Sequence, residues 1–303
     1  MEPDGAEGGA ADLLASVEEE ALRAWVAEFS GLRHGQRNPE ALARKEALLI
    51  ARLEGFGLPV ERDPFRYGGR THHNVVATLE GRGREGPPLL VGAHFDGSEG
   101  SPGADDNASG VAALLGAARA LSLHPPARTV RFVGFNLEEP QGPGDRRCRH
   151  GSRHFVRRAR FGGDRYEGVI ILEMVAYADA RPGSQRIPLK LPVPVPDAGT
   201  FLGAVGTRRA RRLMARFREA AGRRVPDLEV ISYQAPLRGW LMPIIRMSDH
   251  AAFWDWGYPA LMLTDTAFLR NPNYHRPTDT PETLDYGFLT RVTRALVSAL
   301  AAV

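Results

Sequence analysis

The chain has 303 residues, of which 43% are hydrophobic and 25% are charged, as is usual for a globular protein with a sizeable core. Its formal net charge of +3 creates no strong electrostatic demand for a polyanionic partner. Its single cysteine, Cys148, excludes an internal disulfide and a four-cysteine metal site.

The first residues carry none of the features of a targeting segment. Residues 1–20 are acidic and Gly/Ala-rich, without a basic stretch followed by an apolar core. No run approaches the ~20 apolar residues that span a bilayer. We therefore expect a cytoplasmic protein that makes no membrane contact and begins with a flexible tail at residues 1–12.

The hydrophobic pattern predicts helices that alternate with strands along the chain. Apolar residues recur at three- and four-residue steps over about residues 13–54, and glycines at 55 and 57 end this helical stretch. Strands are then predicted at 74–81, 87–96, 129–139, 167–177 and 259–267. Further helices are predicted at 108–123, 151–161, 207–222 and 281–303. This alternation predicts an α/β fold, a three-layer sandwich with a mixed, mainly parallel central sheet flanked by helices.

Domain boundaries are not marked in the sequence. The chain shows no internal repeat and no obvious linker. We therefore expect residues 13–303 to form a single domain, with the Pro- and Arg-rich segment 181–247 as an insert or as part of a pocket.

Acidic residues and histidines fall repeatedly at the ends of the predicted strands. In a parallel sheet these ends meet at one edge, where ligands gather. Unpaired carboxylates would repel each other there and resist burial, so packing alone gives little reason for the pattern. The residues concerned are His94, Asp96, Asp106, Glu138, Glu139, Glu173 and His275.

Two imidazoles and three carboxylates among them form a suitable ligand set for two zinc-like ions. Each ion would receive one histidine and one carboxylate, and the third carboxylate would bridge them. A water shared by such ions has a lowered pKa and can attack a polarised carbonyl. The candidate ligands are His94, Asp106, Glu139, Glu173 and His275.

Two further acids have positions that suit supporting roles. Glu138 neighbours the candidate ligand Glu139 but points to the other side of an extended backbone, so it is free to act as general base. Asp96 lies two residues after His94, on the same strand face. It could therefore accept a hydrogen bond from the second ring nitrogen of His94.

Other polar residues have simpler interpretations. His72, His73, His150 and His154 are expected at the surface or outside the ligand set. The arginine clusters "RRARR" and "DRRCRHGSRH" lack interleaved aromatic residues, which argues for solvated faces and against nucleic-acid binding. Cys148 lies among arginines, which could lower its pKa, but a nucleophilic role is not favoured. Asp249 and His250 are candidates for contacts beside the site.

Six short motifs occur in a recognisable order: "AHFD" (93–96), "GADDNASG" (103–110), "NLEEP" (136–140), "ILEM" (171–174), "SDH" (248–250) and "NYHRPTDTP" (273–281). From about Asn74 to its end, the chain resembles the co-catalytic zinc exopeptidases, metallopeptidase family twenty-eight. That family includes bacterial zinc aminopeptidases, glutamate carboxypeptidases and glutaminyl cyclases. The resemblance implies a zinc-exopeptidase-like fold and a catalytic role for the domain at 13–303.

The resemblance also implies a distribution of ligands between two zinc ions. One ion would be held by His94, Glu173 and Asp106, and the other by Glu139, His275 and the same Asp106. The peptide bond after the bridging Asp106 is often cis in this family.

Catalytic roles follow from the same resemblance. Glu138 takes the general-base position, and Asp96 is expected to support catalysis through His94. Tyr274 matches a tyrosine that hydrogen-bonds a developing oxyanion in some members.

Three features depart from the family pattern. Glu173 stands where most members have Asp, which could shift the geometry and the metal preference. Residues 140–150 replace a short link and could form a rim over the site. Many relatives are secreted, whereas this sequence shows no signal peptide.

The predicted function is metal-dependent hydrolysis of peptide bonds, as an aminopeptidase that acts on a peptide or aminoacyl substrate. Two zinc ions are expected as cofactors, with manganese or cobalt as alternatives. The alternative functions are acyl transfer by a single-zinc glutaminyl cyclase and metal binding without catalysis. The sequence leaves open the preferred substrate side chain and the number of subunits.

Overall fold

One mixed sheet organises the described part of the protein, residues 11–83, 86–145, 147–187 and 193–302 of a computed structural model. Most of the predicted flexible tail, residues 1–10, lies outside these ranges. The strands are β1 (Val60–Tyr67), β2 (Arg70–Leu79), β3 (Leu89–His94), β4 (Val130–Phe135), β5 (Gly168–Glu173), β6 (Leu202–Thr207), β7 (Val230–Ala235) and β8 (Ala260–Thr264). Their order across the sheet is β1-β2-β4-β3-β5-β8-β6-β7.

The centre of the sheet is parallel, and each flank joins it through an antiparallel pair of strands. Strands β4, β3, β5 and β8 run in one direction, while β2 and β6 run antiparallel to the neighbours that join them to this centre. Every residue of β3 and β5 is buried, as expected for strands covered on both faces. The carboxyl ends of the four central strands therefore meet at one edge of the sheet.

Helices cover both faces of this sheet. They are α1 (Glu19–Phe29), α2 (Pro39–Gly55), α3 (Gly110–Leu123), α4 (His150–Phe161), α5 (Arg211–Arg224), α6 (His250–Asp255) and α7 (Tyr286–Ala301). Helices α1, α2, α3, α5 and α7 share one apolar core with the sheet, and α4 and α6 share the other. Alternation along β3 sends Leu89 and Val91 into the first core and Leu90 into the second. The three-layer α/β prediction is confirmed.

None of the helices in the described ranges combines the length and the apolar character needed to cross a membrane.

The prediction of one continuous helical stretch over 13–54 is wrong, because the structure has two separate helices there. A loop at residues 30–38 separates α1 from α2, and in it Gly31 adopts a positive φ of 108°. Residues within this loop are buried, including Arg33 and His34.

Three strands were missing from the prediction. Strands β1 and β7 form the two outer edges of the sheet, where half-exposed residues weaken the apolar signal. Strand β6 contains two glycines, which lower strand propensity. Segment 181–247, predicted as an insert or pocket segment, thus supplies strands β6 and β7 to the main sheet and helix α5, which packs on it.

Candidate metal and catalytic site

Five side chains at the carboxyl edge of the sheet form two groups of possible metal donors. In each group the donor atoms lie within 4.8 Å of one another. The groups are His94, Asp106 and Glu173, and Asp106, Glu139 and His275. The structure therefore brings together all five candidate ligands of the sequence analysis, with Asp106 common to both groups.

The two oxygens of Asp106 face different histidines. His94 Nε2 lies 3.3 Å from Asp106 Oδ1, and His275 Nε2 lies 3.1 Å from Asp106 Oδ2. On the outer sides, His94 Nε2 is 3.5 Å from Glu173 Oε2, and His275 Nε2 is 3.2 Å from Glu139 Oε1. This arrangement suits a carboxylate that bridges two ions.

The backbone turns sharply beside these side chains. His94 and Glu173 are the last residues of β3 and β5, so the sheet itself presents them. Positive φ angles occur at Leu137 (54°), Met174 (49°) and His275 (58°), within two residues of a candidate ligand or at one. Residues with a Cβ rarely adopt this left-handed conformation, which concentrates at functional sites.

The loop that carries Asp106 is fixed from two directions. Asp279 accepts the backbone N–H of Asp105 (3.0 Å) and of Asp106 (3.1 Å). The Asn107 side chain hydrogen-bonds to backbone groups on both sides of Glu173, at 2.9 and 3.1 Å. The Asp106–Asn107 peptide bond is cis, as the family resemblance implied.

Asp96 connects His94 with the double glutamate. Asp96 Oδ1 lies 3.5 Å from His94 Nδ1, and the sequence predicted that these two side chains would be neighbours. Its stronger contacts were not predicted: Asp96 Oδ1 accepts the backbone N–H of Glu138 at 3.0 Å, and Oδ2 accepts that of Glu139 at 3.1 Å. Asp96 thereby fixes the turn that presents both glutamates.

Glu138 is buried beside both donor groups but belongs to neither. Its burial, together with the nearby Asp249 and Glu139 carboxylates, raises the pKa of Glu138 well above its ordinary value. A carboxylate with a raised pKa is a stronger base than a solvated one, as general-base catalysis requires.

Burial and neighbouring charges shift the pKa values of the donor residues, and some donor atoms have no hydrogen-bond partner among the described residues. Burial and the Asp106 carboxylate raise the pKa of Glu139 to about 7. Burial opposes charge on His275, but contacts with Asp106 and Glu139 raise its pKa to about 11. Both ring nitrogens of His94 and Oε1 of Glu139 are buried without a hydrogen-bond partner among the described residues. Unpartnered buried nitrogen and oxygen donors of this kind fit divalent metal ions.

Tyr274 lies beside the second donor group. Its ring stacks on that of His275, with centroids 3.8 Å apart, and burial raises the pKa of its hydroxyl. Tyr274 also borders an apolar cavity of about 150 Å³ that reaches Glu173. Other side chains lining this cavity are Val205, Tyr233, Met242, Ile245, Met247 and Met262.

The remaining histidines lie outside both donor groups. His73 lies 3.3 Å from Glu46, His150 lies 2.7 Å from Asp145, and His154 lies 3.7 Å from Asp63. His250 is fully buried with its Nε2 2.7 Å from the carbonyl oxygen of Ile245, and burial lowers its pKa to about 3. These contacts give structural partners to four of the remaining histidines: His73, His150, His154 and His250.

Residues 140–145 and 147–150, the described part of the segment 140–150, border the double glutamate. Gln141 Nε2 donates to the Glu139 carbonyl at 2.8 Å, and the Arg149 side chain donates to the Arg246 carbonyl. The expectation that arginines lower the pKa of Cys148 is wrong. Burial and the nearby Glu138 outweigh them and raise that pKa to about 11.

Sequence reasoning missed several residues that hold the site. The Ser248 hydroxyl donates a hydrogen bond to Glu173 Oε2 at 2.6 Å. Its place in the "SDH" motif is the sequence feature that could have indicated this contact. Asp279 falls in the "NYHRPTDTP" motif, in which only His275 and Tyr274 have a role predicted from the sequence. Arg33, which contacts the Asp106 loop, carried no signal because it lies within an apparently helical pattern.

These observations define an α/β protein with a candidate dimetal site at the carboxyl edge of its sheet. Comparison with known proteins gives the family: the model for peptidase family M28 matches residues 74–300. The chain therefore belongs to peptidase family M28.

Individual proteins agree with this assignment. The chain is 36% identical over 268 residues to the YfbL protein of Escherichia coli (strain K12), covering 82% of this chain and 75% of that protein. Its fold is similar to that of the LapA aminopeptidase of Legionella pneumophila, with a TM-score of 0.72, 18% identity, and coverage of 99% and 75%. It is also similar to Fimbriiglobus ruber glutaminyl cyclase, with a TM-score of 0.69, 20% identity, and coverage of 94% and 95%. At these identities the structural comparisons establish the fold alone.

We predict that Asp96→Asn weakens metal binding about 10- to 100-fold, the usual effect of losing a partner that orients ligands. The amide would turn an N–H toward one of the two backbone N–H groups that Asp96 now accepts. Calorimetric titration of the metal-free protein with Zn²⁺ measures the change. Asp63→Asn is the matched control, because Asp63 is also buried and hydrogen-bonded but lies outside both donor groups. Equal affinities in the wild type and Asp96→Asn would contradict the prediction.

Proposed function

We propose that this protein is a two-zinc aminopeptidase that releases N-terminal residues from peptides. The observation that carries the proposal is the pair of complete donor groups that share Asp106. Nitrogen and carboxylate donors in this combination suit zinc. A single-metal enzyme would need only one of the two groups.

The residues divide into binding and catalytic roles. His94 and Glu173 would hold one ion and Glu139 and His275 the other, with Asp106 between them. When bound, the ions supply Lewis-acid activation of water and of the substrate carbonyl. Glu138 accepts the proton of the attacking water at its carboxylate and passes it to the leaving amine. The Tyr274 hydroxyl would donate a hydrogen bond to the oxyanion that develops on the substrate and would keep its proton.

The apolar cavity supports an aminopeptidase with a preference for an apolar first residue. It opens beside Glu173 and Tyr274, so a side chain inside it would place the neighbouring carbonyl near both donor groups. Buried apolar surface contributes about 25 cal/mol per Å² to binding. A large aliphatic or aromatic side chain would therefore bind more tightly than alanine.

Glutaminyl cyclase activity is the alternative within the same fold. The two reactions yield different products: a peptidase releases a free amino acid, whereas a cyclase releases ammonia from an N-terminal glutamine. Mass spectrometry of peptides that begin with leucine or glutamine, incubated with and without a chelator, separates them. Chelator-sensitive release of the first residue, with two zinc ions per chain, is the expected result. Ammonia loss with one zinc per chain would overturn the proposal, and no chelator-sensitive reaction would favour a non-catalytic metal-binding protein.

Glu138→Gln is expected to lower kcat about 10²- to 10⁴-fold, because the amide cannot accept a proton from water. Zinc content should stay at the wild-type level, since Glu138 belongs to neither donor group. Steady-state kinetics with an aminoacyl anilide and elemental analysis measure the two quantities. Glu54→Gln, at an exposed position on α2, serves as the control. An unchanged kcat would show that Glu138 is not the general base.

Zinc binding should release protons, and its affinity should rise between about pH 6 and pH 8. Without metal, His275 has a pKa of about 11 and is protonated at neutral pH, and Glu139, with a pKa of about 7, is partly protonated. Both must lose their protons to donate to an ion. Calorimetry in two buffers of different ionisation enthalpy reports the number released. A binding enthalpy that does not depend on the buffer would contradict the prediction.

Val205→Phe should fill part of the apolar cavity, because Val205 lies in its wall on β6. We expect kcat/KM for a leucine anilide to fall about 10- to 100-fold, with a smaller loss for an alanine anilide. Ile231→Phe, on the neighbouring strand but outside the cavity lining, is the control. Equal losses on both substrates would show that the cavity does not select the first residue.

A further inference from the structure

We infer that Arg33 is a positioning residue for the metal site, because it holds in place the loop that connects His94 with Asp106. This inference rests on the proposed function, since it concerns the affinity of the donor groups for metal. Arg33 lies in the loop between α1 and α2, far from the other site residues in sequence, and is 0% exposed.

The guanidinium of Arg33 donates only to backbone carbonyl oxygens. All three of its nitrogens are used, and four of its five acceptors lie in residues 95–106. The contacts are Nε with Phe95 (3.0 Å), Nη1 with Gly31 (3.1 Å) and Pro102 (2.5 Å), and Nη2 with Gly103 (2.8 Å) and Asp106 (3.2 Å). The loop is therefore held at both ends and near its middle by one side chain.

The hydrogen bonds of Arg33 go to backbone carbonyl oxygens and not to carboxylates, and this difference matters for metal binding. Within the described residues Arg33 makes no ion pair, although it lies near the carboxylates of Asp106 and Asp96. Its positive charge reduces the repulsion among these acids without occupying an oxygen that a metal would need. The oxygens of Asp106 remain available to both donor groups.

The loop is shaped around this side chain. A Cβ on Gly103, which has a φ of +61°, would lie 2.2 Å from the carbonyl oxygen of Asp106 and 2.9 Å from both Nη atoms of Arg33. A Cβ on Gly97 would lie 3.1 Å from Cγ of Arg33. Arginine also offers five N–H donors in a rigid plane, whereas lysine offers three from a single nitrogen. Lysine would therefore keep the charge and lose most of the contacts.

The test compares Arg33→Lys with Arg128→Lys in the full-length protein. Arg128 is a suitable control because it is buried and donates to the Pro87 carbonyl at 2.9 Å, at the amino ends of β3 and β4. The metal-free proteins are titrated with Zn²⁺ by calorimetry, and the Co²⁺-loaded proteins are compared by their visible absorption. We expect Arg33→Lys to lose about 10- to 100-fold in metal affinity and to change the Co²⁺ spectrum. Arg128→Lys should keep both at wild-type values.

A second variant covers the case in which Arg33→Lys does not fold. Gly97→Ala crowds Arg33 without removing it, and it should lower metal affinity several-fold with a shifted Co²⁺ spectrum. Wild-type affinity and spectrum in whichever of the two variants fold would overturn the inference, as would an equal loss in Arg128→Lys. If the wild type itself binds no divalent ion, the proposed function fails instead, so the two failures are distinguishable.

Discussion

The structure depends on keeping many carboxylates close together at one buried edge of a sheet. Charged carboxylates resist burial and repel each other unless hydrogen bonds or cations compensate them. Two kinds of acid solve this problem differently. Asp96, Asp265 and Asp279 accept backbone N–H groups, so their charge is used to fix loops. Asp106 and Glu139 accept none from the described backbone and keep their oxygens for the two donor groups.

The fold alone does not determine which reaction a protein of this kind catalyses. An aminopeptidase and a glutaminyl cyclase both share this fold at similar TM-scores. The sheet therefore does not determine what happens to the substrate. The features that can separate the two reactions are local: the number of complete donor groups, the environment of Glu138 and the apolar cavity beside Tyr274.

His94 and Glu173 could be placed from the sequence because each lies where a strongly apolar run stops, and the structure brings them together with the three other candidate ligands. Such runs mark buried parallel strands, and their ends must share one edge. Contacts that depend on the loops could not be predicted. The hydrogen bonds of Asp96 with the Glu138 and Glu139 backbone require the left-handed turn at Leu137, for which no residue-type signal exists. The role of Arg33 could not be predicted for a similar reason. Its loop interrupts a stretch whose hydrophobic pattern is that of one amphipathic helix.

The position of Asp279 and His275 in the chain has a consequence for biosynthesis. The group of His94, Asp106 and Glu173 has all its ligands once residue 173 is translated, whereas the group containing His275 must wait for residue 275. Asp279, which holds the backbone at Asp106, follows still later. Until residue 279 has been synthesised, the nascent chain therefore lacks His275 of the second group and the carboxylate that holds the backbone at Asp106. Assembly of both donor groups therefore follows the synthesis of β8, the last of the described strands in the chain.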